Sequence, residues 1–163
     1  MAGPRFGAKP VRRERSRAND PRGVPRLVAV EPDVVAVDTT WGELQPWEAA
    51  PGVRTVGELE LIDMVARGAI LVDCRVPGSS GGITIPGSVR VPHDQVLTRR
   101  DQFDPTGLSI LFCNGPECPQ SPTAIQALVA GDFPARALGY YRGGMHDWVT
   151  LAMPTQRRAA PPV

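Results

Sequence analysis

Short runs of apolar residues, separated by segments with a helical pattern, limit most strongly how this chain can fold. Residues 70–72, Ser109–Phe112 and Leu138–Tyr141 are apolar almost throughout. Such runs are typical of strands that are buried on both faces of a sheet. Residues 89–91, after a Gly/Pro turn, predict another short strand. Strands that alternate with helices indicate an α/β fold with a mostly parallel sheet covered on both faces.

Two helices are predicted between these strands from their end signals. Thr55 and Glu58 fit a capping box, in which each side chain would satisfy a free N–H group of the first turn. Gly68 is a natural end for that helix. Ser121 followed by Pro122 predicts a second helix start, with serine as the N-cap and proline at the first helical position.

Charge and composition divide the chain into segments. Residues 1–26 hold eight basic and two acidic side chains, a net charge of about +6, whereas the whole chain carries +1. This segment has almost no apolar pattern, so we predict that it is a disordered basic tail. We then expect an N-terminal arm at 27–52, one domain at 53–155 and a flexible tail at 156–163, since 163 residues suffice for one core.

Several classes of protein are not expected from this sequence. No apolar run of membrane-spanning length exists, and no apolar segment follows the basic N-terminus, so we expect a cytoplasmic protein without a membrane partner. Three widely spaced cysteines do not make a disulfide framework. A metal site is not expected either, because Cys113 and Cys118 have only His93 and His146 to complete a ligand set.

Cys113 is the candidate nucleophile because of its place in the chain. It stands at the carboxyl end of a predicted buried strand, before a short loop and a capped helix. Sites in open α/β sheets form at this edge, where a helix N-terminus favours anions. A thiolate would be stabilised there and could attack sulfur or phosphorus. The alternative is a small cysteine that only packs at the end of a strand.

Four segments, in this order, resemble landmarks of the rhodanese family. They are Leu-Val-Asp-Cys-Arg at 71–75, Ile-Pro-Gly-Ser at 85–88, Ile-Leu-Phe-Cys at 110–113, and Tyr-Arg-Gly-Gly at 141–144 with Trp148. The resemblance implies a rhodanese-like α/β fold, with a central parallel five-stranded sheet and helices on both faces. It also implies a sulfurtransferase that moves sulfane sulfur through a Cys113 persulfide, without a cofactor.

The resemblance also implies the partners and the site. The donor would be thiosulfate, another small sulfur-containing anion, or a protein or low-molecular-weight persulfide. The acceptor would be a thiol or another thiophile, and nucleic acid is not an expected partner. The substrate-binding loop would contribute Asn114, Gly115, Glu117, Cys118, Gln120 and Ser121. Asp73 and Arg75 would support it by tying loops together, and Arg75 could supply a cation to the loop.

The loop departs from the family pattern in its charge and its length. It is longer than usual and carries no cation, and Thr84 stands where the family usually has histidine. Pro116 and Pro119 each remove one N–H donor, while Glu117 adds a negative charge. We therefore expect thiosulfate, a dianion, to be a poor donor unless Glu117 points into solvent.

Three alternatives remain open from the sequence. Cys118 would either resolve the Cys113 persulfide, through a disulfide, or be a loop residue without a role. The chain could be a catalytically weak binding or regulatory module with a rhodanese fold, because fold does not fix function. Phosphatase or arsenate-reductase chemistry is a third possibility. The lack of a loop arginine to clamp an oxyanion argues against it.

Overall fold

The computed structural model describes residues 43–158 and, before them, Val30 and three strands. These strands are β1 (Val11–Glu14), β2 (Arg26–Val28) and β3 (Glu31–Asp38), and they form a small sheet of order β1-β3-β2. A strand at β1 differs from the disorder expected over 1–26. The reason is its parallel pairing with β3, a long-range contact that composition does not reveal.

The remaining strands and the helices build the main domain. The strands are β4 (Arg54–Thr55), β5 (Ile70–Asp73), β6 (Ile83–Thr84), β7 (Val89–Arg90), β8 (Ser109–Phe112), β9 (Leu138–Tyr141) and β10 (Gln156–Arg157). The helices are α1 (Glu58–Ala66), α2 (Gln120–Ala130) and α3 (Gly144–Thr150). A five-stranded, fully parallel sheet of order β4-β9-β8-β5-β7 forms the centre. This confirms the predicted sheet.

Apolar side chains alternate between the two faces of the central sheet. Leu71, Ile110 and Phe112 lie in a buried cluster with residues of α1 and α3. Val72 and Leu111 lie in the other cluster, with residues of α2. Because strand side chains point to opposite faces in turn, a strand that is apolar throughout must be covered on both sides. The helices therefore lie on both faces, as predicted.

The predicted capping box of α1 is wrong. Its N-cap is Gly57, without a side-chain cap. Thr55 belongs instead to β4, and its hydroxyl donates to the carbonyl oxygen of Trp47 at 2.5 Å. Glu58 accepts a hydrogen bond from the Tyr141 hydroxyl at 2.9 Å. The pairing of β4 with β9 places Thr55 in the sheet. The Thr–Glu pattern, although typical of helix starts, therefore forms no capping box here.

The predicted start of α2 is wrong by two residues. The N-cap is Pro119 and the first helical residue is Gln120, so Ser121 is the second residue of the helix and caps nothing. Its hydroxyl lies against Cys113 instead. Gly131 ends the helix, as the structure shows at its C-cap.

The chain returns to the domain after α3. The Trp148 indole N–H donates to the carbonyl oxygen of Pro154 at 2.6 Å, and β10 then pairs with β6 in antiparallel register. Gln156 and Arg157, which fall in the expected flexible tail, thus form a strand. Within the described part of the chain, no helix is long and apolar enough to cross a membrane.

Candidate active site

Cys113 directly follows β8 at the carboxyl edge of the sheet, and the start of α3 holds it there. The Met145 N–H donates to the Cys113 carbonyl oxygen at 3.0 Å, and the His146 N–H donates to that of Asn114 at 2.8 Å. Gly144 makes this close approach possible, with φ at +56°. A Cβ on Gly144 would overlap the Cys113 carbonyl oxygen and lie 2.8 Å from the Gly115 nitrogen.

The Cys113 sulfur is surrounded by neutral hydrogen-bonding groups. Its Sγ lies 3.0 Å from the Ser121 Oγ and 3.3 Å from the Cys118 carbonyl oxygen. Burial alone would raise the pKa of the Cys113 thiol. Hydrogen bonds from the side chains of Cys118 and Ser121 and from the backbone N–H groups of Ser121 and Gly115 outweigh burial and lower this pKa to about 7. A large fraction of Cys113 is therefore thiolate near neutral pH.

Cys118 places a second sulfur beside the first. Its side chain hydrogen-bonds the Cys113 sulfur, and this contact is the largest cause that raises the pKa of the Cys118 thiol far above its ordinary value. The backbone groups of Gln120 and Asn114 act on the Cys118 sulfur in the opposite direction. One turn of loop thus supplies N–H groups to two adjacent sulfur atoms, as expected for an anion-binding concavity of backbone amides.

Arg75 and Asp73 form a buried clamp beneath the loop. The Arg75 guanidinium donates to both Asp73 carboxylate oxygens, to the carbonyl oxygens of Ser80 and Ile83, and to the Asn114 side-chain oxygen. All five of its N–H groups are therefore used. Burial would raise the pKa of the Asp73 carboxyl, but its bonds with Arg75 and Thr84 hold it below its ordinary value. Arg75 thus contacts the loop at Asn114, not at the sulfur.

Amide side chains tie the loop after β5 to the candidate active-site loop. The Asn114 side-chain nitrogen donates to the Ser79 carbonyl oxygen at 2.9 Å. The Gln120 side-chain oxygen accepts from the Val76 N–H at 3.1 Å. Both residues are predicted as substrate-binding loop residues, and the structure shows them engaged with residues 76–79.

A segment of the N-terminal arm crosses the loop. The Gln45 N–H donates to the Pro116 carbonyl oxygen at 2.8 Å, and the Arg142 guanidinium donates twice to the Gln45 carbonyl oxygen, at 3.2 and 2.8 Å. Arg142 also lies over the Trp47 ring, 5.9 Å from its centre, while Trp47 itself is 68% exposed. Only 1% of Cys113 is exposed. Access to its sulfur therefore requires the loop or this arm to move.

Two further buried groups lie near the thiols. The Tyr140 hydroxyl is buried and has no hydrogen-bond partner within the described residues. Burial and the charges of Cys113 and Cys118 raise the pKa of Tyr140, although Arg142 lowers it. Cys74 is fully buried in the cluster that packs on α2, and burial raises its pKa well above the ordinary value. Its place in the core makes it a packing residue.

The structure brings several of the predicted site residues to one point. Cys113, Gly115, Cys118 and Ser121 surround the sulfurs, whereas Glu117 lies half-buried in the turn after Pro116. Sequence reasoning missed the roles of Gly144, Gln45, Arg142 and Tyr140. Only Gly144 carries a local signal, as part of the Gly-Gly pair of the family-like closing segment.

Comparisons with known proteins support the fold. No family model matches the chain, and no curated protein matches it. A rhodanese-related protein from Thermoplasma volcanium superposes with a TM-score of 0.53 at 16% identity, covering 63% of this chain and 97% of that one. Thiosulfate sulfurtransferase from Pseudomonas aeruginosa gives 0.55 at 22% identity, covering 70% of this chain but only 22% of that protein.

A third solved structure has a different description. A protein of unknown function from Rhodopseudomonas palustris, described as a possible tyrosine phosphatase, has a TM-score of 0.52 at 19% identity and covers 66% of this chain and 88% of that one. Likeness at such low identity carries architecture and not activity. The chain has a rhodanese-like fold, with a parallel five-stranded sheet between helices.

Proposed function

We propose that this chain is a sulfurtransferase that carries sulfane sulfur as a persulfide on Cys113. The observation that carries the proposal is the place of the Cys113 thiol directly after β8, at the carboxyl edge of the sheet, with its Sγ 3.0 Å from the Ser121 hydroxyl. Its hydrogen bonds also lower its pKa to about 7. A thiolate is the form that attacks sulfur. The thiosulfate sulfurtransferase that shares the fold supports the same chemistry.

Two displacements at sulfur complete the reaction. The Cys113 thiolate attacks the sulfane sulfur of the donor, the donor's bond to that sulfur breaks, and the donor leaves with the electron pair as sulfite or a thiolate. An acceptor thiolate then attacks the outer sulfur of Cys113–S–S⁻, and Cys113 leaves as a thiolate. The N–H groups of Gly115 and Ser121 and the Ser121 hydroxyl stabilise the anion at both stages.

A persulfide is a better donor for this loop than thiosulfate. Pro116 and Pro119 provide no N–H groups, and no lysine or arginine stands between Asn114 and Ser121. The sulfite group of thiosulfate carries its charge into a cradle that already holds a thiolate. A protein persulfide could also displace the arm that covers the loop, because it would bind over a larger surface.

The alternative is a binding or regulatory module with a rhodanese fold. The observation that favours it is burial, since Cys113 is only 1% exposed beneath the loop and the Gln45 segment. In that case Cys113 would pack in the site without reacting. Phosphatase chemistry has less support, because the loop offers no arginine to hold the equatorial oxygens of a phosphoryl group.

Mass spectrometry of the full chain distinguishes these functions. The reduced protein and its Cys118→Ser variant are exposed separately to thiosulfate, glutathione persulfide and a persulfide-loaded cysteine desulfurase. The peptide with Cys113 is then examined for one added sulfur atom or, in the wild type, for a disulfide with Cys118. We expect the persulfide donors to react fastest. Cys113→Ser should accept no sulfur, whereas the matched Cys74→Ala variant should react like the wild type. A chain that accepts sulfur from none of the three donors would be the binding module.

A further inference from the structure

Cys118 brings a second thiol into the site, in a buried turn beside Cys113. Cys118 is only 3% exposed, and its side chain hydrogen-bonds the Cys113 sulfur. The turn that brings it there is closed by the Cys118 N–H, which donates to the Gly115 carbonyl oxygen at 3.0 Å. The Cys113 Sγ lies 3.3 Å from the Cys118 carbonyl oxygen, to which it donates only while it is protonated. The Cys113 sulfur thus contacts Cys118 at its backbone, and both residues are buried.

The position of Cys118 has a consequence for the persulfide. The outer sulfur of Cys113–S–S⁻ must enter a cradle in which the Cys118 sulfur already lies. Sγ of Cys113, the sulfur that becomes electrophilic once the persulfide forms, lies 3.3 Å from the Cys118 carbonyl oxygen, so the loop holds Cys118 beside it. Reacting groups that the same loop holds side by side need little further ordering before they react.

We propose that Cys118 is a catalytic residue that resolves the Cys113 persulfide within the chain, releasing hydrosulfide. This inference rests on the proposed sulfurtransferase function. The Cys118 sulfur attacks Sγ of Cys113, the bond from Sγ to the outer sulfur breaks, and the outer sulfur leaves with the electron pair. The proton of the Cys118 thiol moves to the leaving sulfur. The products are the Cys113–Cys118 disulfide and HS⁻, so atoms and charge balance.

The protonation of the two thiols gives each sulfur one role. In the resting site Cys113 is the more acidic of the two thiols, and its hydrogen bond with Cys118 raises the pKa of Cys118, which stays protonated. Cys118 therefore does not compete for the donor. Once the charge has moved to the outer sulfur, that sulfur is the base that receives the Cys118 proton. An external dithiol must then reduce the disulfide before another cycle.

A single-turnover experiment tests this step. The fully reduced chain receives one equivalent of glutathione persulfide without added thiol, beside a blank that holds only the donor. Hydrosulfide is measured with a fluorogenic probe, and the protein mass after rapid gel filtration. The wild type should release about one hydrosulfide per chain and end two hydrogens below the reduced mass, with Cys113 and Cys118 in one disulfide-linked peptide.

Variants separate this inference from the proposed function. Cys118→Ser and Cys118→Ala should each keep the added sulfur on Cys113 and release hydrosulfide at least tenfold more slowly, whereas Cys74→Ala should match the wild type. A wild-type persulfide that persists, or a disulfide from Cys113 to Cys74, would overturn the inference and leave the proposed function standing. If no protein accepts sulfur on Cys113, including both Cys118 variants with native circular dichroism, the proposed function itself fails.

Discussion

The Ser121 hydroxyl lies 3.0 Å from the Sγ of Cys113, although eight positions separate the two residues in the chain. Ser121 is the second residue of α2, so its backbone N–H is also free to face the sulfur. One residue thus offers two donors to the thiolate. Charge-assisted hydrogen bonds of this kind are stronger than neutral ones, and they lower the pKa of the group that accepts them.

Ser121→Ala should make Cys113 less acidic. The variant loses one hydrogen bond to a charged group, about 1.5 kcal/mol, which corresponds to about one pKa unit. The rate of iodoacetamide alkylation of Cys113 should rise with pH through about 7 in the wild type, because only the thiolate reacts. The midpoint should move up by about one unit in the variant. The exposed Thr123, on the same helix, provides the control Thr123→Ala, which should not shift the midpoint.

Gly144→Ala should damage both stability and the site. Alanine at a φ of +56° is strained by about 1–3 kcal/mol, and its Cβ would overlap the Cys113 carbonyl oxygen. We expect a thermal midpoint lower by roughly 5 °C or more and slower sulfur transfer. Gly78→Ala is the matched control, since no atom lies within 4 Å of its added Cβ. Equal midpoints for the two variants would show that α3 does not hold Cys113 in place.

Arg142→Ala should expose the Cys113 sulfur. The substitution removes two hydrogen bonds to Gln45 and the contact with Trp47, so the arm loses its attachment beside the loop. We expect alkylation of Cys113 to become faster by about tenfold, equivalent to about 1.4 kcal/mol. Arg67→Ala is the control, because Arg67 is exposed and pairs with Asp63 on α1. An unchanged alkylation rate would mean that the arm does not control access.

The strands of the core could be predicted from the sequence because a strand that is buried on both faces is apolar at successive positions. Ser109–Phe112 and Leu138–Tyr141 are found with the predicted bounds, since side chains on both faces of those strands must be apolar. The sequence does not predict β4, because a two-residue strand has no period to detect and its pairing with β9 is a contact across more than 80 positions.

Only the part of the site that is continuous in the chain with the strand before Cys113 can be predicted from the sequence. The order of strand, loop and helix around Cys113 is a local pattern, and it is sufficient to indicate the candidate nucleophile and its loop. Gly144, Gln45 and Arg142 act through contacts that join distant parts of the chain. A local sequence pattern does not indicate that these segments pack against the loop after Cys113. Serine before proline is common at helix starts and predicts a cap at Ser121. In the structure the Ser121 hydroxyl instead hydrogen-bonds the Cys113 thiol.

Glu117→Gln should improve the reaction with anionic donors. If the Glu117 carboxylate faces the Cys113 cradle, removing its charge while keeping the side-chain shape lowers the repulsion toward a thiolate and a dianion, so kcat/KM for thiosulfate should rise at least several-fold. A gain of 1 kcal/mol is a factor of about 5. The pKa of Cys113, followed by alkylation against pH, should fall in the same variant.

A neutral donor and a surface control complete the Glu117 test. Low-molecular-weight persulfides in their neutral form should gain much less than thiosulfate, because they carry no charge for Glu117 to repel. Glu60→Gln, at an exposed position of α1, should change neither donor. If thiosulfate turnover and the Cys113 pKa are both unchanged, the weak reaction with dianions would have to come from the two prolines alone.

The mass of the Cys113 peptide after exposure to a sulfane-sulfur donor tests the central claim most directly. With Cys118→Ser, which cannot resolve the persulfide through a second thiol, we expect one added sulfur atom on Cys113 and transfer of that sulfur to an external thiol. With Cys113→Ser we expect no added sulfur on any residue, because a hydroxyl cannot form a persulfide. Sulfur transfer by Cys113→Ser, together with an inactive Cys118→Ser, would contradict the account and make Cys118 the nucleophile.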